Sequence, residues 1–216
     1  MAPNLAQVLN TLAHEIRTPL AVSQGYLKLY LDGRLTDVDD TRKAFEQTRQ
    51  ALGMLSSLCT EMGKVSSVSE SSSLGVAERI AAADFVKSVQ AQAEVEGVNW
   101  QGSADPGVIE TANHRDLAHA IAIVSKAAFD EARDAPRNVR TDAGRQLRML
   151  VGSSDAQAAL EAGPDAPDAR TVDFAKGGKG LKLIWAAFVL DRHHVQTWTD
   201  MNHRASVGFT IPLVQA

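Results

Sequence analysis

Cysteine is almost missing from this chain: Cys59 is the only one. No intrachain disulfide can form, which fits a reducing compartment and predicts a cytoplasmic protein. Long apolar runs are missing too. None approaches the roughly 20 residues a bilayer-spanning helix needs, and the N-terminus lacks the basic start and apolar core of a signal peptide, so no membrane partner is expected. There is no excess of basic residues either. A net charge of -4 offers no basic surface for nucleic acid. What remains is ordinary globular material, 44% hydrophobic and 22% charged over 216 residues, enough for one large or two small domains.

The most informative segment is Leu12-Ala13-His14-Glu15-Ile16-Arg17-Thr18-Pro19-Leu20. Leu5, Val8, Leu9, Leu12, Ile16, Leu20 and Leu27 recur at three- and four-residue spacing, the apolar stripe of an amphipathic helix. His14 lies two residues from both Leu12 and Ile16, so at about 100° per residue it points away from the stripe. Alone, that would read as a solvated surface histidine. Its neighbours change the reading. A neutral imidazole acting as nucleophile needs one bare nitrogen and a hydrogen bond fixing the other, and Glu15 is placed to accept that bond. Thr18, four residues on, shares the face of His14 and can orient a water. Pro19 cannot donate to the carbonyl of Glu15, so a bend is expected just below the histidine.

Gly33 is a natural stop for this first helix. From about Val38 a second helix follows, where Val38, Thr41, Phe45, Thr48, Leu52, Leu55, Cys59, Met62 and Ser66 step alternately by three and four, a heptad seam. Two helices with narrow seams close no core alone; pairing with a second copy as a four-helix bundle would satisfy them. Residues 1–70 thus form a hairpin, a serine-rich stretch at 71–76 a linker, and 77–216 a second domain. In the latter the patterns predict a helix from Ala77 to Glu96 with Ile80, Phe85 and Val89 inward. Strands are predicted at Val98–Gln101 and Val108–Thr111, then a helix from Arg115 to Ala132. Asn138–Thr141 and Leu147–Val151 flank a hairpin turn. A helix from Leu181 to Leu190 leads to a strand at Val195–Thr199, and Val207, Phe209, Ile211 and Leu213 alternate as in a half-buried strand. The class is α+β: a helical hairpin forming a dimeric bundle, then an α/β sandwich with one sheet covered on one side.

The segment around His14 resembles the phosphoacceptor box of two-component histidine kinases, His-Glu-x-x-Thr-Pro-Leu. The likeness in order of elements extends over essentially the whole chain, with the second domain similar to the kinases' ATP-binding domain. Asn113-His114-Arg115-Asp116-Leu117 resembles the approach to the asparagine box, Gly178-Lys179-Gly180-Leu181-Lys182-Leu183 the Gly-x-Gly-Leu-Gly-Leu segment, and Gly208-Phe209-Thr210-Ile211-Pro212-Leu213 the closing strand. The nucleotide-holding positions depart from the family. The asparagine that should ligate magnesium falls at Ala127, which has no oxygen for a hard cation. The adenine-reading loop has become Gly152-Ser153-Ser154-Asp155-Ala156-Gln157-Ala158, with Asp155 the nearest stand-in and the close-approach glycines gone. Glu161, Asp165, Asp168 and Asp173 make an acidic lid that repels a triphosphate. The loop with Gly178 and Gly180 before a helix is the remaining candidate phosphate cradle.

The resemblance therefore implies a histidine phosphotransfer protein similar to the ChpT-type phosphotransferases, which keep the kinase-like second domain without nucleotide binding. His14 would accept and donate phosphate, with Glu15 and Thr18 assisting, in a homodimer that meets response-regulator receiver domains and takes phosphate from a donor such as a hybrid histidine kinase. No tightly bound cofactor and no resident metal are expected, Mg2+ belonging to the partner receiver and ATP not being used. Two alternatives stand beside it: an ATP-dependent histidine kinase with a divergent nucleotide site, and a pseudokinase that docks a response regulator without turnover.

Overall fold

The computed structural model describes residues 3–70, 77–96, 100, 107–131, 138–143, 146–172, 174, 180–203 and 205–214. The expected linker at 71–76 lies outside the described residues, as does the expected strand at 98–101 apart from Trp100, which is buried. Two long helices come first, α1 (Leu5–Leu31) and α2 (Val38–Glu70). Asn4 caps α1 with a reciprocal capping box, its side chain accepting from Gln7 N while the Gln7 side chain accepts from Asn4 N, so two orphan N–H groups are satisfied at the entry. Gly33 takes a positive φ of 65° and lets the chain leave the helix.

The seam between the two helices is offset by one residue from the expected one. Ala44, Thr48, Ala51, Leu58 and Val65 are buried, with Thr41, Leu55 and Met62 half-buried. That is a stepping of three and four that shares Thr41, Thr48, Leu55 and Met62 with the predicted seam. Of the other expected members, Val38, Phe45, Leu52 and Cys59 face solvent and Ser66 is half-buried.

Next come β1 (Glu78–Ala81), α3 (Ala82–Val95), β2 (Val108–Thr111), α4 (His114–Glu131), β3 (Asn138–Ala143), β4 (Gln146–Gly152), α5 (Ser154–Leu160), β5 (Ala169–Thr171), α6 (Gly180–Arg192), β6 (Gln196–Asp200) and β7 (Val207–Pro212). The helix predicted from Ala77 is therefore shorter. Its first turn is a strand instead, because residues 78–81 pair antiparallel with β2, placing Ile80 opposite Ile109. The other sheet has five antiparallel strands in the order β3-β4-β7-β6-β5.

Strand β7 lies between β4 and β6, and Val207 to Ile211 are all buried, so it is buried on both faces and not half-buried as the alternation suggested. On one face, Leu147, Met149, Val151, Val207, Phe209 and Ile211 join the main core under α4. On the other face, Leu150 and Trp198 pack with Leu160 of α5, so the sheet is not covered on one side only. The physical reason is that Trp198 projects from the outer face and needs cover. The fold is α+β, a helical hairpin followed by a layered antiparallel sheet and helices.

Helix α6 ties the two parts together, lying against α1, α2 and α4. Val8, Leu58 and Val65 of the hairpin share one buried cluster with Leu181, Ile184 and Trp185 of α6. At about 1.5–3 kcal/mol for each large side chain fully buried, that contact is part of the core.

Candidate functional site

His14 is exposed on α1, which continues through Pro19. Pro19 is buried, and its carbonyl, one of those near a helix proline, accepts from Ser23 Oγ at 2.9 Å. Glu15 is half-buried and Thr18 exposed. His14, Glu15, Thr18 and Pro19 line one side of an open groove of about 570 Å³, whose other side is Gly53, Met54, Ser57, Leu58 and Glu61 of α2. The three expected site residues are thus brought together, along one groove between the hairpin helices.

The groove's electrostatics centre on Glu15. Burial raises its carboxyl above the ordinary value, the His14 imidazole pulls the other way, and the nearby Glu61 carboxylate raises it further. A carboxylate that holds its proton more readily is also a stronger acceptor for an imidazole N–H. Glu15 has a third neighbour as well. A Cβ placed on Gly180, the first residue of α6, would lie 3.5 Å from Glu15 Oε2 and 3.8 Å from Oε1, so the head of α6 stands against the carboxylate.

Glu61, Gly53, Met54 and Ser57 were not anticipated. The signal available was the hairpin itself, since a tight turn at 32–37 must fold α2 back along His14. Heptad spacing alone, however, leaves the axial register of the two helices open.

The positions aligned with nucleotide contacts are scattered. Ala127 is half-buried and packs on the main core. Its neighbour Lys126 donates to the carbonyl of Glu96 at 3.0 Å. Asp155 is exposed in the first turn of α5, behind the Ser153 cap, so what aligns with an adenine loop is a short helix on the sheet's outer side. Glu161, Asp165 and Asp168 are exposed. Gly178 lies outside the described residues, as do Gly177, Lys179 and Asp173, while Gly180 heads α6 with φ 84°. Among the described residues no group of three or more His, Cys, Asp or Glu could hold a metal ion, and no helix is long and apolar enough to cross a membrane.

A histidine presented at the mouth of a two-helix groove, followed by an acid and then Thr-Pro, is the arrangement that the sequence led one to expect of a phospho-acceptor domain. Residues 4–67 match the His Kinase A (phospho-acceptor) domain family, and the chain resembles the two-component histidine kinase superfamily. No curated protein matches significantly by sequence. Among solved structures, histidine kinase ThkA in complex with the response regulator protein TrrA is similar at 16% identity and a TM-score of 0.58, over 94% of this chain and 60% of that one. Acinetobacter baumannii histidine kinase AdeS is similar at 11% identity and a TM-score of 0.50, over 94% of this chain and 98% of that one. A bacterial phosphotransferase is aligned at 12% identity over 97% of this chain and 98% of that one, with a TM-score of 0.38, too loose to weigh between readings. These likenesses concern the fold. Two-component signalling through a phosphorylated histidine is the class of function that follows from the phospho-acceptor domain.

Proposed function

We propose that the protein is a histidine phosphotransfer protein of a phosphorelay. It accepts a phosphoryl group on His14 from the phospho-aspartate of one receiver domain and passes it to the aspartate of another. A residue 1–70 hairpin carries the transfer, a 71–76 linker follows, and 77–216 is a degenerate kinase-like domain. The protein acts as a homodimer in the cytoplasm, a location consistent with the single Cys59. The observation that carries this reading is the exposed His14 beside the half-buried Glu15 in a groove open to a partner. In the forward step an imidazole nitrogen attacks phosphorus, a P–N bond forms, the aspartyl P–O bond breaks and the carboxylate leaves. Glu15 holds the proton on the other ring nitrogen, and Thr18 orients water for the competing hydrolysis. Mg2+ belongs to the receiver.

The kinase alternative requires Mg-ATP to be held here, and Ala127 offers no ligand oxygen. The docking-module alternative has no use for Glu15 or Thr18 beside the histidine. One experiment separates the three. The purified protein is offered labelled ATP, then a labelled phospho-receiver domain. The expected outcome is acid-labile, base-stable label from the receiver alone, lost in His14→Ala. Label from ATP establishes the kinase, and no label from either donor leaves the docking module.

A further inference from the structure

We propose that the kinase-like second domain is a positioning element for the phosphotransfer site, with the head of α6 at Gly180 packing against the Glu15 carboxylate and fixing its place in the groove that His14 lines. The inference rests on the reading of His14 as phosphoacceptor. It assigns Gly180 a task other than cradling a nucleotide phosphate.

The geometry has three parts. The carboxylate of Glu15 lies so close to Gly180 that a Cβ there would touch both oxygens, at 3.5 and 3.8 Å. A phosphate at the same spot would meet that carboxylate and be repelled. Gly180 also has φ 84°, a backbone conformation that L side chains rarely adopt, so glycine is suited here on backbone grounds, and a methyl would only touch the carboxylate while a longer side chain would press on it. Finally, α6 cannot recede, because Leu181, Ile184 and Trp185 are buried in one cluster with Val8, Leu58 and Val65 of the hairpin.

Charges around Glu15 are disposed to make it a base. The His14 imidazole on α1 lowers it and the Glu61 carboxylate on α2 raises it, while the first turn of α6 carries no acidic residue. Glu61 is also the wall between this groove and a cavity of about 230 Å³ at the junction of α2, α4 and α6, where Lys64, Lys182, Asp116 and His119 are gathered. The lysines thus line the far side of that wall. Burial between the α6 head and Glu61 makes Glu15 a stronger acceptor for the imidazole N–H as positive charge develops on the ring.

The test compares Gly180→Asn with Gly163→Asn in the 216-residue chain. Asparagine tolerates left-handed backbone, and Gly163 has a matching φ of 87° with only Arg148 Nη2 near, at 4.0 Å. The control therefore carries the same backbone cost without touching Glu15. Phosphoryl acceptance from a labelled phospho-receiver is expected to fall about 10²–10⁴-fold in Gly180→Asn, the range for a lost acid–base partner. Gly163→Asn should keep the wild-type rate. The Gly180→Asn/Glu15→Gln double variant should be no slower than Glu15→Gln alone, the non-additivity of two changes acting through one group.

In parallel, 13C NMR should find the Glu15 carboxyl titrating above its ordinary value of 4.5 in the wild type, closer to it in Gly180→Asn, and lower in Glu61→Gln. A folded Gly180→Asn with wild-type rate and wild-type Glu15 titration overturns the proposal, as does a fully additive double variant. If the wild type never labels, the phosphotransfer reading fails by itself, and the carboxyl titrations still decide whether α6 holds Glu15. Should Gly180→Asn not fold by circular dichroism, the smaller Gly180→Ser decides: wild-type transfer with an unmoved Glu15 titration in that variant then overturns the proposal.

Discussion

At His14 the work is divided between two side chains of different exposure. Glu15 is half-buried and Thr18 exposed, so the acid sits where its basicity is raised while the hydroxyl remains open to water. Glu15→Ala should slow transfer by about 10²–10⁴-fold without removing the acceptor. Thr18→Ala should spare transfer and reduce only hydrolysis of the partner's aspartyl phosphate, read by following phospho-receiver decay with and without protein. Equal loss of both rates in Thr18→Ala would show that the hydroxyl serves the transfer itself. Away from the site, Asp200 closes the turn between β6 and β7. Its Oδ1 accepts from the backbone N–H of Asn202 and His203, at 2.9 and 3.1 Å, and stands 2.9 Å from His203 Nδ1. The His203 hydrogen bond, above the other causes, holds its carboxyl below the ordinary 3.8. A carboxyl with a lowered folded-state pKa contributes its stability in full above the unfolded value and loses it as pH falls toward the folded value. Asp200→Ala strands those donors and should cost about 1–3 kcal/mol. The difference in melting temperature from wild type should be constant above pH 4 or so and shrink below it; a difference that widens on acidification contradicts this account.

At the scale of elements, the pairing of β6 with β7 depends on a missing side chain. Gly208 sits opposite Trp198, and a Cβ on it would overlap Cε2 and Cζ2 of the Trp198 indole. Gly208→Ala should therefore destabilise the protein by at least the 1–3 kcal/mol typical of overpacking. Trp198→Leu in the same chain should recover part of it; unchanged urea midpoints for the single variant would refute the tight fit. This glycine also shows what was legible beforehand. The alternation Val207, Phe209, Ile211 identified β7 and its inner face, because period-2 burial is written in residue type. That the strand is covered on its outer face as well was not legible, since the cover comes from Trp198, Leu150 and Leu160 on three separate elements. Helix α5 has 7 residues and β5 has 3, too short to carry a period. In α2 the heptad was legible but its register was not. Thr41, Thr48, Leu55 and Met62 serve either of two adjacent seams, and only packing against α1 and α6 selects Ala44, Ala51, Leu58 and Val65 as the buried flank. At the site, His14, Glu15 and Thr18 were legible because chemistry needs them adjacent on one helix. Glu61 and Gly180 come from elements brought there by tertiary packing alone.

For the molecule as a whole, the choice of inner seam leaves a second one outside. Val38, Phe45 and Leu52 recur every seven residues on α2 and are 80%, 47% and 55% exposed, while Leu20 and Leu27 of α1 are 42% and 43% exposed. Phe45 is already stacked edge-on against Tyr30 with ring centroids 5.2 Å apart, a preformed apolar ledge between the two helices. A second hairpin laid on this stripe completes a four-helix bundle, which is the dimer we propose. The two seams predict different failures. Leu58→Asp places an unpaired charge in the shared core with α6 and should unfold the protein, since such burial costs several kcal/mol. Phe45→Asp and Leu52→Asp charge only the outer stripe, and should give folded monomers with unchanged circular dichroism. His14, Glu15, Glu61 and Gly180 all come from one chain, so those monomers should still accept phosphate on His14, at a rate within a few-fold of wild type. Sedimentation of the three variants beside the wild type, with labelling of each, is the measurement. A wild type that sediments as a monomer disproves the dimer; a folded Phe45→Asp monomer unable to accept phosphate would mean that the partner copy completes the site.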